Sequence, residues 1–549
     1  MSLNPCAIEP VPEETARVAR AAFPKGNRYM TMRDVLGIIY TNDQFADLYP
    51  PVGQYAQHPW RLVLVTLMQF SENLTDRQAA DAVRGRIDWK YALGLELADA
   101  GFDFSVLSEF RTRLVAGAAE ERLLTTILKG FIDRGLLKGR GKQRTDSTHI
   151  VAAVRALNRL EIVGETLHHA LNILAQIAPD WLRGQVAAEW FLRYGKRFSD
   201  YQLPKGKGDR QELAETIGRD GLHLLTGLYD VAAPPYLRTV PAVESLRQVW
   251  VQQFYQEDGA LKWRDTKNCP PSSLMVASPY DLDSRYSEKR GQSWRGYKVH
   301  VTETCDGTTP NVITHVETTW ATDQDVTAVN TIHQALAEQA LLPEVHLVDG
   351  AYTSGETLVS SQQNYQVDLV GPMRQDQSWQ VHDDQAYDTR HFHIDWDQET
   401  VTCPMGHQSQ HWKPAKGPRG KPAIQVHFPK KACAVCDVRA RCTRSPTGPR
   451  ELTLHPKDQH LALQAAREHQ RTETFKERYK HRAGIEGTMS QAAFAFGMRR
   501  TRYRGLQKTH LHHIATVTAI NLQRFVDWIG EIPRSKTYQS HFARLALAT

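Results

Sequence analysis

The chain has 549 residues, 41% of them hydrophobic and 23% charged, with a formal net charge of +6. Its length predicts two to four structural units with a large shared or divided core. No apolar run approaches the ~18 to 20 residues of a membrane span, and the acidic start MSLNPCAIEPVPEETARV lacks the apolar stretch of a signal peptide. A globular cytoplasmic protein without membrane contact is therefore expected. Seven cysteines are few for this length and four crowd between 403 and 442, which favours reduced thiols or a metal site over a disulfide framework.

In chain order, residues 1 to about 55 show little sustained periodicity. Arg61 to Asn73 then reads as an apolar helix, and Thr75 caps a second, DRQAADAVRG. The pair fits a helix-turn-helix or a plain bundle equally well. Lys142 to Ala152 (KQRTDSTHIVA) reads as a strand carrying Asp146. Leu157, Leu160, Gly164, Leu167, Leu171 and Leu174 form a stripe at helical spacing, opening a helical block that reaches to about Glu257.

From Tyr297 the period changes to two, with Tyr297, Val299 and Val301 on one face and Lys298, His300 and Thr302 on the other. Asp306-Gly307 makes a turn and Asn311 to Thr318 returns, a predicted hairpin. A helix capped near Asp323, a short strand EVHLVD ending at Asp349, another helix and the strand VDLVGPM complete an α/β pattern with a mixed sheet. Residues 375 to 450 break this regularity and read as an inserted subdomain. Helix resumes near Lys457, breaks near Thr472, and continues through Tyr479, Arg482 and Glu486, which share one helical face.

Charge is unevenly spread. Residues 471 to 549 hold fourteen Lys or Arg against five Asp or Glu. Such a concentration points to a polyanion, most simply nucleic acid, although a solvated basic face is the competing reading. Cys433-x2-Cys436-x5-Cys442 with Cys403 offers four thiols, with His407 as a substitute. A structural zinc competes here with unliganded thiols, because the gap back to Cys403 is long for a finger. Trp379, Trp396 and Trp412 could stack on distorted DNA, but packing is the simpler expectation, as it is for His510, His512 and His513.

Asp146 and Asp349 lie at or near strands, and Glu486 would come from a helix packed on the same sheet. Three carboxylates around one point repel, and divalent cations with oxygen ligands relieve that repulsion. Two Mg²⁺ in such a site suit phosphodiester transfer. Each acid also has an ordinary role open to it: a turn at Asp349-Gly350, a hydroxyl partner for Asp146, an ion pair between Glu486 and Arg482.

TDSTHI (145 to 150), VDGAYTS (348 to 354) and the Tyr479-x2-Arg482-x3-Glu486 spacing resemble the three acid-bearing motifs of DDE transposases of bacterial insertion sequences. RIDWKYALGLEL (86 to 97), SVLSEFRTRL (105 to 114), RYSEKRGQSWRGYKVHVTETCD (285 to 306) and GMRRTRYRGLQKTHLHHIATVTAINLQR (497 to 524) are similar to the same group. The resemblance implies an RNase H-like catalytic fold, two Mg²⁺ or Mn²⁺ ions on Asp146, Asp349 and Glu486, and cutting and rejoining at the terminal inverted repeats of a mobile element. It also implies DNA contacts from Tyr479 and Arg482, with Arg499, Arg500, Arg502, Arg504 and Lys508 as further basic contacts, and a homodimer in the synaptic complex. Where the family pattern has a lysine seven residues after the glutamate, this chain has Ala493.

The expected organisation is a DNA-binding N-terminal helical domain (1–138), a catalytic core (139–152 and 285–374), a helical insertion (153–284), a cysteine-bearing insertion (375–455) and basic C-terminal helices completing the core (456–549). Two rivals share these features: an inactive domesticated transposase that only binds DNA, and a Mg²⁺-dependent nuclease that cannot join strands.

Overall fold

The computed structural model describes residues 2–3, 7–307, 309–417 and 420–532. Arg534, Lys536 and Arg544 of the basic C-terminal count lie outside the described residues.

The central sheet has six strands, numbered here in chain order: β1 (Lys142–Val151), β2 (Arg285–Lys289), β3 (Gln292–Thr304), β4 (Ile313–Trp320), β5 (Val345–Leu347) and β6 (Asp368–Val370). β1 lies between β3, antiparallel, and β5, parallel; β6 extends the parallel side, and β2 and β4 both pair with β3. The result is a mixed α/β architecture consistent with an RNase H-like fold. Asp146 stands opposite Val301 in the β1–β3 register. Asp349 follows the end of β5, so the two acids come from neighbouring strands.

Alternation along β3 predicts one apolar face and one polar face. Tyr297, Val299 and Val301 do enter the main core. The polar face is covered as well: His300 and Thr302 are buried. It tolerates burial because each polar group has a partner. Lys298 Nζ donates to Asp325 Oδ1 at 2.7 Å, His300 Nδ1 lies 2.7 Å from the Tyr352 hydroxyl, and the Thr302 and Thr145 hydroxyls are 2.6 Å apart.

That main core is continuous from the N-terminal helices through the sheet to the long C-terminal helix Leu506–Ile529. Pro59–Ser71 is buried from Pro59 to Phe70 except at Arg61 and packs against Leu506–Ile529. The Thr75 cap closes a full capping box with Gln78. The first 55 residues, by contrast, contain two helices, Glu13–Ala22 and Arg28–Leu36. Each spans under three turns, too few repeats for a periodic signal; Asn27 starts the second by accepting the Tyr29 N–H at 2.9 Å.

The insertion after β1 has its own core, to which Leu157, Leu160, Leu167 and Leu174 contribute. Its helices end earlier than the sequence suggests. Phe254–Glu257 pairs with Ala260–Trp263 across an Asp258-Gly259 turn whose φ values of 50° and 77° are those of a tight hairpin. The second insertion builds a three-stranded antiparallel sheet from His411–Lys416, Pro422–His427 and Glu451–Leu454. Trp396 and Trp412 pack edge to face in it at 5.5 Å. Of the three C-terminal histidines, His512 and His513 are buried, and His510 bonds Glu121 at 2.9 Å. No helix among the described residues is long and apolar enough to cross a membrane.

Burial pushes His300 and His333 down to about 4 and His512 to about 3. All three are neutral in the folded chain at pH 7, whereas in the unfolded chain they take up protons below about 6.5. Their contribution is therefore full above that value and is lost as pH falls toward 4. The expected outcome is a thermal midpoint that drops progressively between pH 6.5 and 4.5, with His300→Asn and His512→Asn each flattening the slope.

Candidate active site

β1 carries Asp146 on the face it shares with Val301, and its Oδ1 accepts the Ser147 N–H at 2.8 Å. The other oxygen, Oδ2, accepts from Arg482 Nη2 at 2.8 Å. Arg482 Nη1 also lies 3.6 Å from Glu486 Oε1. One guanidinium thus spans two of the three expected acids. Asp349 caps its own turn, accepting the Ala351 N–H at 2.8 Å. Burial raises the Asp146 carboxyl above its usual range; Arg482 opposes that rise, while the charges of Asp349 and Asp325 add to it. Asp146, Asp349 and Glu486 all act on Tyr479, whose hydroxyl burial pushes up. The structure therefore gathers Asp146, Asp349, Glu486, Tyr479 and Arg482 into one neighbourhood.

Asp325 is a fourth carboxylate there that the sequence does not flag. It is 5% exposed, accepts from Lys298 at 2.7 Å, and accepts the Ser147 hydroxyl at 3.2 Å. Its only sequence signal is Lys298, a lone cation on an alternating strand. Asp323, expected to cap the following helix, instead closes a turn by accepting the Trp320 N–H at 3.2 Å, and the helix starts later, at Ala328.

The segment bearing Glu486 is not one α-helix. Glu473–Tyr479 gives way to a 3₁₀ stretch, Lys480–Gly484, then a short helix, Ile485–Ser490, and a π turn, Gln491–Ala495. It is fixed to the sheet by a buried ion cluster. Glu303 on β3 is fully buried; its Oε1 accepts from Arg144 Nε at 2.8 Å and Nη2 at 2.6 Å. Its Oε2 accepts from Thr488 Oγ1 at 2.6 Å and Arg524 Nη1 at 2.9 Å. Arg144 also donates to the His481 carbonyl. Gly484 permits that approach, since a Cβ there would stand 2.3 Å from Arg144 Nη1.

The basic residues divide. Arg499, Arg500, Arg504 and Lys508 are exposed. Arg502 is engaged within the chain, donating to the Leu74 carbonyl and Asn73 Oδ1 across from the N-terminal bundle. The four thiols Cys403, Cys433, Cys436 and Cys442 line one apolar pocket with Phe392 and Phe428. Burial pushes the Cys442 thiol up to about 11, which keeps it protonated. The zinc expectation gains no support, and among the described residues no group of three or more His, Cys, Asp or Glu is set to hold a metal ion.

Two family models match the chain, one described as Transposase DDE domain over residues 402–526 and one as Transposase domain (DUF772) over residues 17–113. Both describe transposase domains, and though they leave more than half of the chain unmatched they support a DDE-type transposase of an insertion element. No curated protein matches it. The first match takes in the cysteine pocket, Glu486 and most of the long C-terminal helix; Asp146 and Asp349 fall outside both matched ranges. A transposase of this family is a DNA-cutting and DNA-transferring enzyme and generally uses divalent metal ions.

Proposed function

We propose that this transposase binds the terminal inverted repeats of its element, hydrolyses the phosphodiester at each end, and joins the freed 3′-hydroxyl to target DNA, with Asp146, Asp349 and Glu486 as the catalytic acids. The observation that carries this reading is the bridge from Arg482 to both Asp146 and Glu486, beside Asp349. One cation contacts two of the acids and feels the charge of the third, and a divalent ion would relieve the same repulsion.

By chemistry the donors suit Mg²⁺ or Mn²⁺, being hard carboxylate oxygens, and burial together with the charges of Asp349 and Asp325 raises the Asp146 carboxyl. When bound, such ions supply Lewis-acid stabilisation of the phosphate and an activated attacking oxygen. The chain's own residues do the rest. Lys298 and Ser147 hold Asp325, whose charge adds to the rise of the Asp146 carboxyl. His300 and Tyr352 brace the turn after Asp349 from below. Arg482 balances the acids and faces the position of the scissile phosphate, with Tyr479 next to it. Arg499, Arg500, Arg504 and Lys508 engage the DNA backbone, and a homodimer holds two ends together.

The test is incubation of the purified chain with duplexes carrying the repeats that flank its reading frame. Cleavage and strand transfer with Mg²⁺ or Mn²⁺, both abolished by EDTA, are expected. Binding without cleavage would instead indicate a DNA-binding protein, and hydrolysis without joining a nuclease.

A further inference from the structure

Between residues 475 and 526 one large apolar side chain is left exposed, Phe494, at 82%. Scattered exposed apolar residues need no explanation. This one is different because of where the helix puts it. Glu486, Ser490 and Phe494 are exposed at spacings of four, while Ile485, Thr488, Ala492 and Phe496 point inward. In an α-helix at 3.6 residues per turn, eight residues drift by roughly 80° off a common face. The π turn Gln491–Ala495 advances less per residue and removes much of that drift, so Phe494 returns to the stripe of Glu486. Ala493, which occupies the position of the family lysine, turns partly inward.

Beyond the π turn the backbone is stitched to the end of β1: the Val151 N–H donates to the Arg499 carbonyl at 2.9 Å and the Thr501 N–H to the Val151 carbonyl at 3.0 Å. Arg499 then reaches His149 at 3.0 Å, three residues after Asp146 on the same strand. Phe494 therefore stands on a short bridge with a carboxylate of the active site at one end and exposed Arg499 and Arg500 at the other. An aromatic face between an acidic centre and phosphate-binding cations suits one occupant, a nucleobase.

We propose that Phe494, next to the Ala493 that stands where the family pattern has a lysine, stacks on an unpaired or unstacked base at the cleaved end of the DNA. This rests on the proposed function and adds the contact that reads the terminal base. Stacking of this kind is worth roughly 5- to 150-fold in affinity.

The experiment compares wild type, Phe494→Ala, Phe494→Leu and Phe494→Trp on a pre-cleaved duplex of the flanking repeat with 2-aminopurine at the terminal position. Expected are quenched fluorescence with wild type and Phe494→Trp, loss of quenching with Phe494→Ala and Phe494→Leu, and end binding weakened roughly 5-fold or more in those two variants at unchanged thermal midpoint. Wild type that binds the duplex with the same quenching and affinity as Phe494→Ala overturns the inference alone. A change in oligomeric state on Phe494→Ala with unaltered quenching also overturns it and makes the patch an interface between copies. Wild type that does not bind the duplex overturns the proposed function and this inference together.

Discussion

Asp146→Asn and Asp349→Asn are each expected to lower cleavage and strand transfer by roughly 10³-fold or more while leaving binding to the element ends intact or slightly tighter. Asn keeps the shape and removes the charge that a divalent ion needs. Several kcal/mol of transition-state stabilisation go with it, at 1.36 kcal/mol for each tenfold in rate. Folding should tolerate the change, because burial already disfavours the charged form of Asp146. DNA affinity should not fall, since a negative group near phosphate has been taken away. Asp325→Asn supplies the graded comparison: it acts through Ser147 and Lys298, so a loss of roughly 10- to 100-fold is expected, the range typical of groups that orient metal ligands. Single-turnover cleavage at saturating Mg²⁺ and filter binding of the same duplex separate these effects. Asp146→Asn activity within tenfold of wild type would sink the assignment.

The second large effect concerns stability. Glu303→Gln leaves the guanidinium groups of Arg144 and Arg524, 7% and 18% exposed, without their shared carboxylate. Removing one member of a buried ion cluster strands the remaining charge and costs about 3 to 5 kcal/mol. The single amide oxygen that remains cannot serve Arg144 and the Thr488–Arg524 pair together, so the tie between β3 and the Ile485–Ser490 helix weakens just where that helix carries Glu486. The expected result is a large fall in the denaturant midpoint, together with a higher Mg²⁺ concentration needed for any residual cleavage. Arg524→Met should cost less than Glu303→Gln, since Arg144 still satisfies Oε1 and Thr488 still satisfies Oε2. A Glu303→Gln midpoint equal to that of wild type refutes the anchoring role.

Glycine 484 belongs to the same device. The approach of Arg144 to the His481 carbonyl needs a residue without a Cβ. Nothing in the local pattern YKHRAGIEG distinguishes it from a glycine that merely ends a helix, so its reason becomes visible only when a strand more than 300 residues earlier arrives beside it.

Much of the scaffold was legible in the chain itself. β1, the β3–β4 hairpin, the short parallel strands and the helices between them follow from period-two runs, turn dipeptides and caps, all set within a few residues. The N-terminal helices before Leu36 and the Phe254–Trp263 hairpin escaped because each is too short for periodicity to rise above noise. The unbroken helix expected from Tyr479 to Glu486 is interrupted by 3₁₀ and π turns, which carry no composition signal and are imposed by packing against β3.

The three acid-bearing segments, the family they resemble, the mixed α/β class and the basic C-terminus were determined by the sequence alone, because residue identity and short-range spacing contain them. The tertiary structure alone decided which groups meet. It put Arg482 between Asp146 and Glu486, brought in Asp325 as a neighbour, buried Glu303 between two arginines, tied Arg502 to Asn73 and Leu74, and left Phe494 exposed. Charges and hydrogen bonds act over a few ångströms of space, and distance along the chain says nothing of that until the sheet has closed.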